Sequence, residues 1–194
     1  MMVEASREAP VPRAATLVRR LLGYGIDICL LFLFVAGTQA LLFLTSVHPY
    51  GDALSRGPQP PSTRLHLWVM ASTTLPFAAY FTIAAVTQRG ATLGQRMLGL
   101  RVAGKSGGRP GIKQAMIRAL VLLVPFEVNH AVMFHLGPWT GAAEALFFAG
   151  IGLVWLLILL YLLVPLVRAD RRSLHDLASA TIVLRAPPGA ESRL

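Results

Sequence analysis

At 194 residues, with 55% apolar side chains and a mean hydropathy of +0.60, the chain has too little polar surface to enclose a water-soluble core. Its 18 Lys and Arg against 9 Asp and Glu fit one-sided basic loops beside a membrane better than nucleic acid, for which no reading element is present. A single cysteine, Cys29, excludes an intrachain disulfide.

Residues 1–15 hold several prolines and small residues and are expected to be disordered, as is the tail 186–194. Between them, 16–185 should form one transmembrane unit. The first apolar run, 21–44, is long enough to cross a bilayer. It exceeds a signal-peptide core of about 7–15 residues, so it reads as a retained anchor. Its one charge is Asp27. A lone carboxylate at membrane depth costs roughly 2.5–3.5 kcal/mol on insertion scales, so it needs a partner, a proton or a task. Arg20 lies about two turns earlier on nearly the same helical face.

A loop with turn chemistry at 49–52 and 57–61 follows. The second run, 65–86, contains Ser72, Thr73, Thr74 and Pro76, which predict a kink packed against neighbours. After it, Gly99 to Ser106 matches the nucleotide-binding pattern GxxxxGK[S/T] letter for letter. That chemistry needs a strand before the loop and a helix beginning at the Lys. Gly107, Gly108 and Pro110 oppose the helix, and 98–102 itself alternates like a strand. The β-branched segment 181–184 could pair with it, giving a small cytoplasmic β-hairpin-like element that ties the tail to the central loop.

The third run, 115–136, is ambiguous because it contains Arg118, Pro125, Glu127, Asn129, His130 and His135. Glu127-x-x-His130 has the spacing of half a carboxylate-bridged di-metal site, but the other half is absent. His48, His66 and His135 fall in separate stretches, so no metal or other cofactor is expected. The fourth run, 145–167, is the cleanest span, with Trp155 and Tyr161 its amphipathic residues. Beyond it, His175-Asp176 lacks the further histidines of a metal phosphohydrolase, and no nucleophile–base grouping is readable, so no enzyme is expected. Asp176 could pair with Arg172 at i,i+4, cap the hairpin, or dock on Arg96 or Arg101.

Basic residues decide the topology. They are dense before the first span (Arg7, Arg13, Arg19, Arg20), between the second and third (Arg89 to Lys113) and in the tail (Arg168 to Arg193). Only Arg56 and Arg64 lie in the first loop, and none lies between 137 and 144. Four crossings place every dense segment on one side. The expected fold is therefore an all-α integral membrane protein, a four-helix transmembrane bundle in the cell membrane with both termini cytoplasmic.

Three blocks carry a resemblance: RRLLGYGIDICLL, then GATLGQRMLGLRVAGKSGGRPGIKQAMIRAL, then DRRSLHDLASATIVL. Together and in this order they resemble the RDD family of small bacterial and archaeal membrane proteins. The family is named for one Arg and two Asp, which fall on Arg20, Asp27 and Asp176. Gln95, Leu177 and Ser179 depart from the family's usual residues. The resemblance implies a membrane protein, some members of which have been proposed to act in transport, including cation/proton exchange.

Two functions follow as expectations. In the first, a small transporter couples cations and protons through Asp27, with Arg20 or Arg118 tuning it and Glu127 a second station. The same polar cluster of Arg20, Asp27, Arg118 and Glu127 could instead only fix helix register. In the second, a non-transporting scaffold docks a partner or anionic lipid through its basic loops. The expected partners are membrane lipids, monovalent cations or protons, and further copies of the chain, since four spans enclose a narrow interior. Gly137-x-x-x-Gly141 has helix-packing spacing but falls in a loop.

Overall fold

A computed structural model describes residues 14–45, 63–87, 89–137 and 143–186. Of the stretches 1–15 and 186–194, expected to be disordered, residues 14, 15 and 186 are placed and hydrogen-bonded; the remainder lies outside the described residues, as do the turns at 49–52 and 57–61, His48 and Gly141.

Among the described residues, four helices are long and apolar enough to cross a membrane: Leu17–Leu44, Thr63–Val86, Ile112–Leu136 and Glu144–Val167. The first is α1, and it begins a turn before its apolar run because Arg20 is buried rather than left in water at the boundary. The second comprises α2 (Thr63–Val69), a π turn (Met70–Thr74) and α3 (Leu75–Val86). Pro76 offers no N–H to the turn before it, so the kink expected at 72–76 takes the form of a widened turn.

The ambiguous third run is α5 (Ile112–Leu136), a helix through its full length despite Pro125. Its polar residues are accommodated because α5 packs against α2, α3, α6 and the short α7 (Leu174–Ala178), so neighbours rather than lipid receive them. Leu123 and Ala119 of α5 meet Leu31, Phe77 and Phe81 in the apolar core. The last span is α6 (Glu144–Val167), which buries few residues within the chain and leaves much of its apolar surface uncovered, as expected of a helix beside lipid. It approaches α5 closely at Gly150, where an added Cβ would stand 2.6 Å from a Val132 methyl carbon.

The connection between the second and third spans holds α4 (Leu93–Met97) and β1 (Leu100–Gly104). β1 pairs antiparallel with β2 (Thr181–Arg185), with Val102 opposite Val183. The strand starts two positions later than its alternation suggested, because Gly99 turns the chain at φ 61°. Ala14 bridges Leu184, and the Ala15 N–H donates to the Val183 carbonyl at 3.0 Å, so the residues before α1 join the same layer. The GxxxxGK[S/T] pattern lies on β1 and the tight turn after it, where the Gly104 N–H donates to the Gly108 carbonyl at 2.8 Å. No helix starts at Lys105, so the phosphate-loop geometry is excluded.

Candidate functional site

Asp176 is set by a local device. Ser173 and Asp176 form a capping box at the start of α7, the Ser173 N–H donating to the carboxylate at 3.0 Å. Arg20 from α1 and Arg118 from α5 then both form ion pairs with this one carboxylate. The Tyr24 hydroxyl accepts from Arg118 at 2.7 Å and lies 3.1 Å from His175 Nε2. Arg172 donates to the main-chain carbonyls of Thr181 and Asp176, both at 2.8 Å, rather than to the Asp176 side chain. Arg96 and Arg101, expected as docking partners, donate instead to the Ala91 and Gly107 carbonyls.

This burial governs ionisation. For Asp176, desolvation would push the carboxyl up, but the guanidiniums of Arg118 and Arg20 outweigh it and hold it well below the ordinary carboxylate range. Burial and the positive charge of Arg118 push the His175 imidazole down to about 3, so it is neutral at physiological pH.

Asp27 occupies a separate pocket on the side of α1. It is fully buried and accepts from Tyr80 Oη at 2.7 Å, from Thr92 Oγ1 and from the Gly94 N–H at 2.8 Å. Each hydroxyl donor is itself held: Tyr80 accepts from the Leu93 N–H, and Thr92 accepts from the Gln95 N–H as the N-cap of α4. Position 94 requires glycine, because a Cβ there would overlap the Gly23 carbonyl oxygen and stand 3.0 Å from Asp27 Cγ. Arg20 and Arg118 are thus committed to Asp176, and the partners of Asp27 are uncharged hydrogen-bond donors.

Glu127 belongs to a third group, farther along α5. It accepts from Thr74 of the π turn, and its oxygens lie 3.4 Å from His66 Nε2 and 3.2 Å from His130 Nδ1. His66 Nδ1 in turn lies 3.1 Å from His135 Nε2. His66 spends its two ring nitrogens on different partners. Among the described residues no group of three or more His, Cys, Asp or Glu is arranged to hold a metal ion. The Glu127 side chain is 28% exposed.

The structure therefore divides the expected cluster of Arg20, Asp27, Arg118 and Glu127 into three groups, and joins His175 and Asp176 to the first. A model of the RDD family matches residues 14–180. The chain belongs to the RDD family. Arg20, Asp27 and Asp176 all fall inside that match, and RDD family proteins are not known enzymes. No curated protein and no solved structure matches the chain.

Several residues that complete the polar groups of this RDD protein escaped sequence reasoning. Tyr24 could have been found by its position one turn after Arg20 on the same face. Thr92 with Gln95 is a readable capping box, and it marks the helix end that meets Asp27. Tyr80 carried no signal that separated it from the other aromatics of its span.

Proposed function

We propose that this RDD protein is a small multi-pass transporter that exchanges protons for monovalent cations, with Glu127 as the exchanging carboxylate. The observation that carries this reading is the partly exposed Glu127 among His66, His130 and His135, within spans of membrane length. An ionisable group kept within a membrane bundle, in a site that also contains a π turn, has the features of a functional site. Imidazoles beside a carboxylate provide a short chain of proton acceptors toward the end of the bundle opposite the sheet.

In this reading Asp27 is a fastening for α4 and not the ion carrier, since three donors already occupy it. Arg20, Arg118 and Asp176 clamp the sheet end. The exposed Lys105, Arg109, Lys113 and Arg185 lie in the sheet-end segments and support a cytoplasmic position for that end. Proteoliposomes with imposed Na⁺, K⁺ and pH gradients test the assignment. Glu127→Gln should reduce exchange to the rate of empty vesicles, and exchange at the parental rate would refute it.

The scaffold reading is favoured by a different observation: Asp27 and Asp176 are both sealed from solvent. It gains if no gradient drives exchange and the basic sheet end retains anionic vesicles.

A further inference from the structure

Between α1, α3, α5 and α6 lies a cavity of about 470 Å³. Its walls are apolar: Ile28 of α1, Phe81 of α3, Leu123 of α5 and Ile158 of α6. Leu21 and Trp155 also line it and are exposed, so it opens sideways, where the bilayer would be. One end is different. There Arg20, Ser173 and His175 line it, near the start of α1 and the entrance to α7. The cavity has the size and the mixed lining of a small-molecule site.

Two features of that end call for a ligand. First, Arg20 Nε and His175 Nδ1 are buried with no hydrogen-bond partner among the described residues, although both residues are about 97% enclosed, at 3% exposure each. Tyr24 Oη accepts from Arg118 and can give its own proton to His175 Nε2; in that tautomer the imidazole proton is on Nδ1. Both orphaned nitrogens are then donors in need of an acceptor. Second, Arg20 and Arg118 share the single charge of Asp176, so positive charge is left over.

We infer that this cavity binds an anionic phospholipid of the surrounding membrane, one acyl chain along the apolar walls and the phosphate at the end formed by Arg20, Ser173 and His175. The apolar walls select a hydrocarbon chain. The surplus guanidinium charge and the two donors select an anionic acceptor over a zwitterionic headgroup. The polar end also sits at the sheet end of the bundle, the level at which headgroups meet a spanning helix. The site is independent of Glu127 and of any transport activity.

Native mass spectrometry of the full chain in detergent tests this, titrating phosphatidylglycerol, phosphatidylcholine of the same chains, and palmitate. One phosphatidylglycerol should be retained per chain, with about tenfold preference over phosphatidylcholine. Ile158→Trp, which fills the cavity, should abolish that adduct, while Leu159→Trp, on the exposed face of the same helix, should keep it. Equal retention by both variants, or no headgroup preference, would overturn the site. Palmitate binding without phosphatidylglycerol would overturn the choice of lipid, and a lipid-free dimer would show the cavity filled by a second copy. Should Ile158→Trp fail to fold, the headgroup preference of the parent chain decides alone.

Discussion

At the sheet end of the bundle, Asp27 and Asp176 are sealed from solvent and held by donors from other elements, whereas farther along α5 Glu127 is 28% exposed and touches groups that can themselves change protonation. The donors to Asp27 are hydroxyls and a main-chain N–H, and those to Asp176 are two guanidiniums with the Ser173 N–H and the Thr181 hydroxyl. Neither set readily accepts a proton from a carboxyl. Glu127 faces imidazoles, which do. The three carboxylates thus differ both in enclosure and in the chemistry of their partners, and the role proposed for Glu127 rests on both differences.

The strongest way to break that contrast is to remove charge at both ends. Asp176→Asn leaves two buried guanidiniums without a counter-charge, and the expected loss is about 3–5 kcal/mol of stability, read from the unfolding midpoint in detergent. Glu127→Gln should cost no more than about 1 kcal/mol, because the side chain is partly exposed and its hydroxyl and imidazole partners can also pair with an amide. Equal losses would mean that Glu127 is as structural as Asp176. Next in size is Thr92→Val, which removes one hydroxyl donor from Asp27 and should cost roughly 1.5–3 kcal/mol, with faster proteolysis near α4.

The pH dependence sharpens the same point. His175 binds its proton near 6.5 when unfolded but only at about 3 when folded, so between those values the unfolded chain holds the extra proton. Stability should therefore fall as pH drops from 6.5 toward 3, with a slope approaching about 1.4 kcal/mol per unit. The groups facing the imidazole are Tyr24 and Arg20 on α1, Arg118 on α5, Tyr161 on α6 and the adjacent Asp176. Asp176, whose folded value is depressed, adds its own loss only below its unfolded value near 3.9. His175→Gln should flatten the upper part of the curve in a detergent titration; an unchanged curve would place the titrating group elsewhere.

The spans were legible because length and apolarity suffice to identify them, and the strand pairing because β-branching and alternation point to it. The polar groups were legible only as single residues. Spacing along one helix suggested Arg20 with Asp27 and Arg172 with Asp176, but Arg20 reaches across the chain to Asp176, and a tertiary contact of this kind leaves no local pattern. His66 looked isolated for the same reason: its partners are on α5, which the fold brings alongside α2. Where a local motif existed, as in the box at Thr92 and Gln95, it marked a helix start without revealing that Asp27 would share it.

The smallest expected effect lies a few residues from the largest. Arg168 and Asp170 form a two-pronged pair at 2.8 and 2.9 Å. The Arg168 hydrogen bonds hold the Asp170 carboxyl down to about 2, against the opposing effect of desolvation. Yet both side chains are exposed, at 42% and 37%, so water and salt screen the attraction and the two side chains lose entropy by staying together. A lowered pKa here reports local geometry and is not a measure of stability. Asp170→Asn should leave the unfolding midpoint in detergent where it is, and raising salt from about 0.05 to about 0.5 M should move parent and variant alike. The Asp176 pairs, shielded from ions by α1, α5 and α7, should resist the same change. A midpoint that drops in Asp170→Asn as far as in Asp176→Asn would show that enclosure is not what gives the buried pairs their effect.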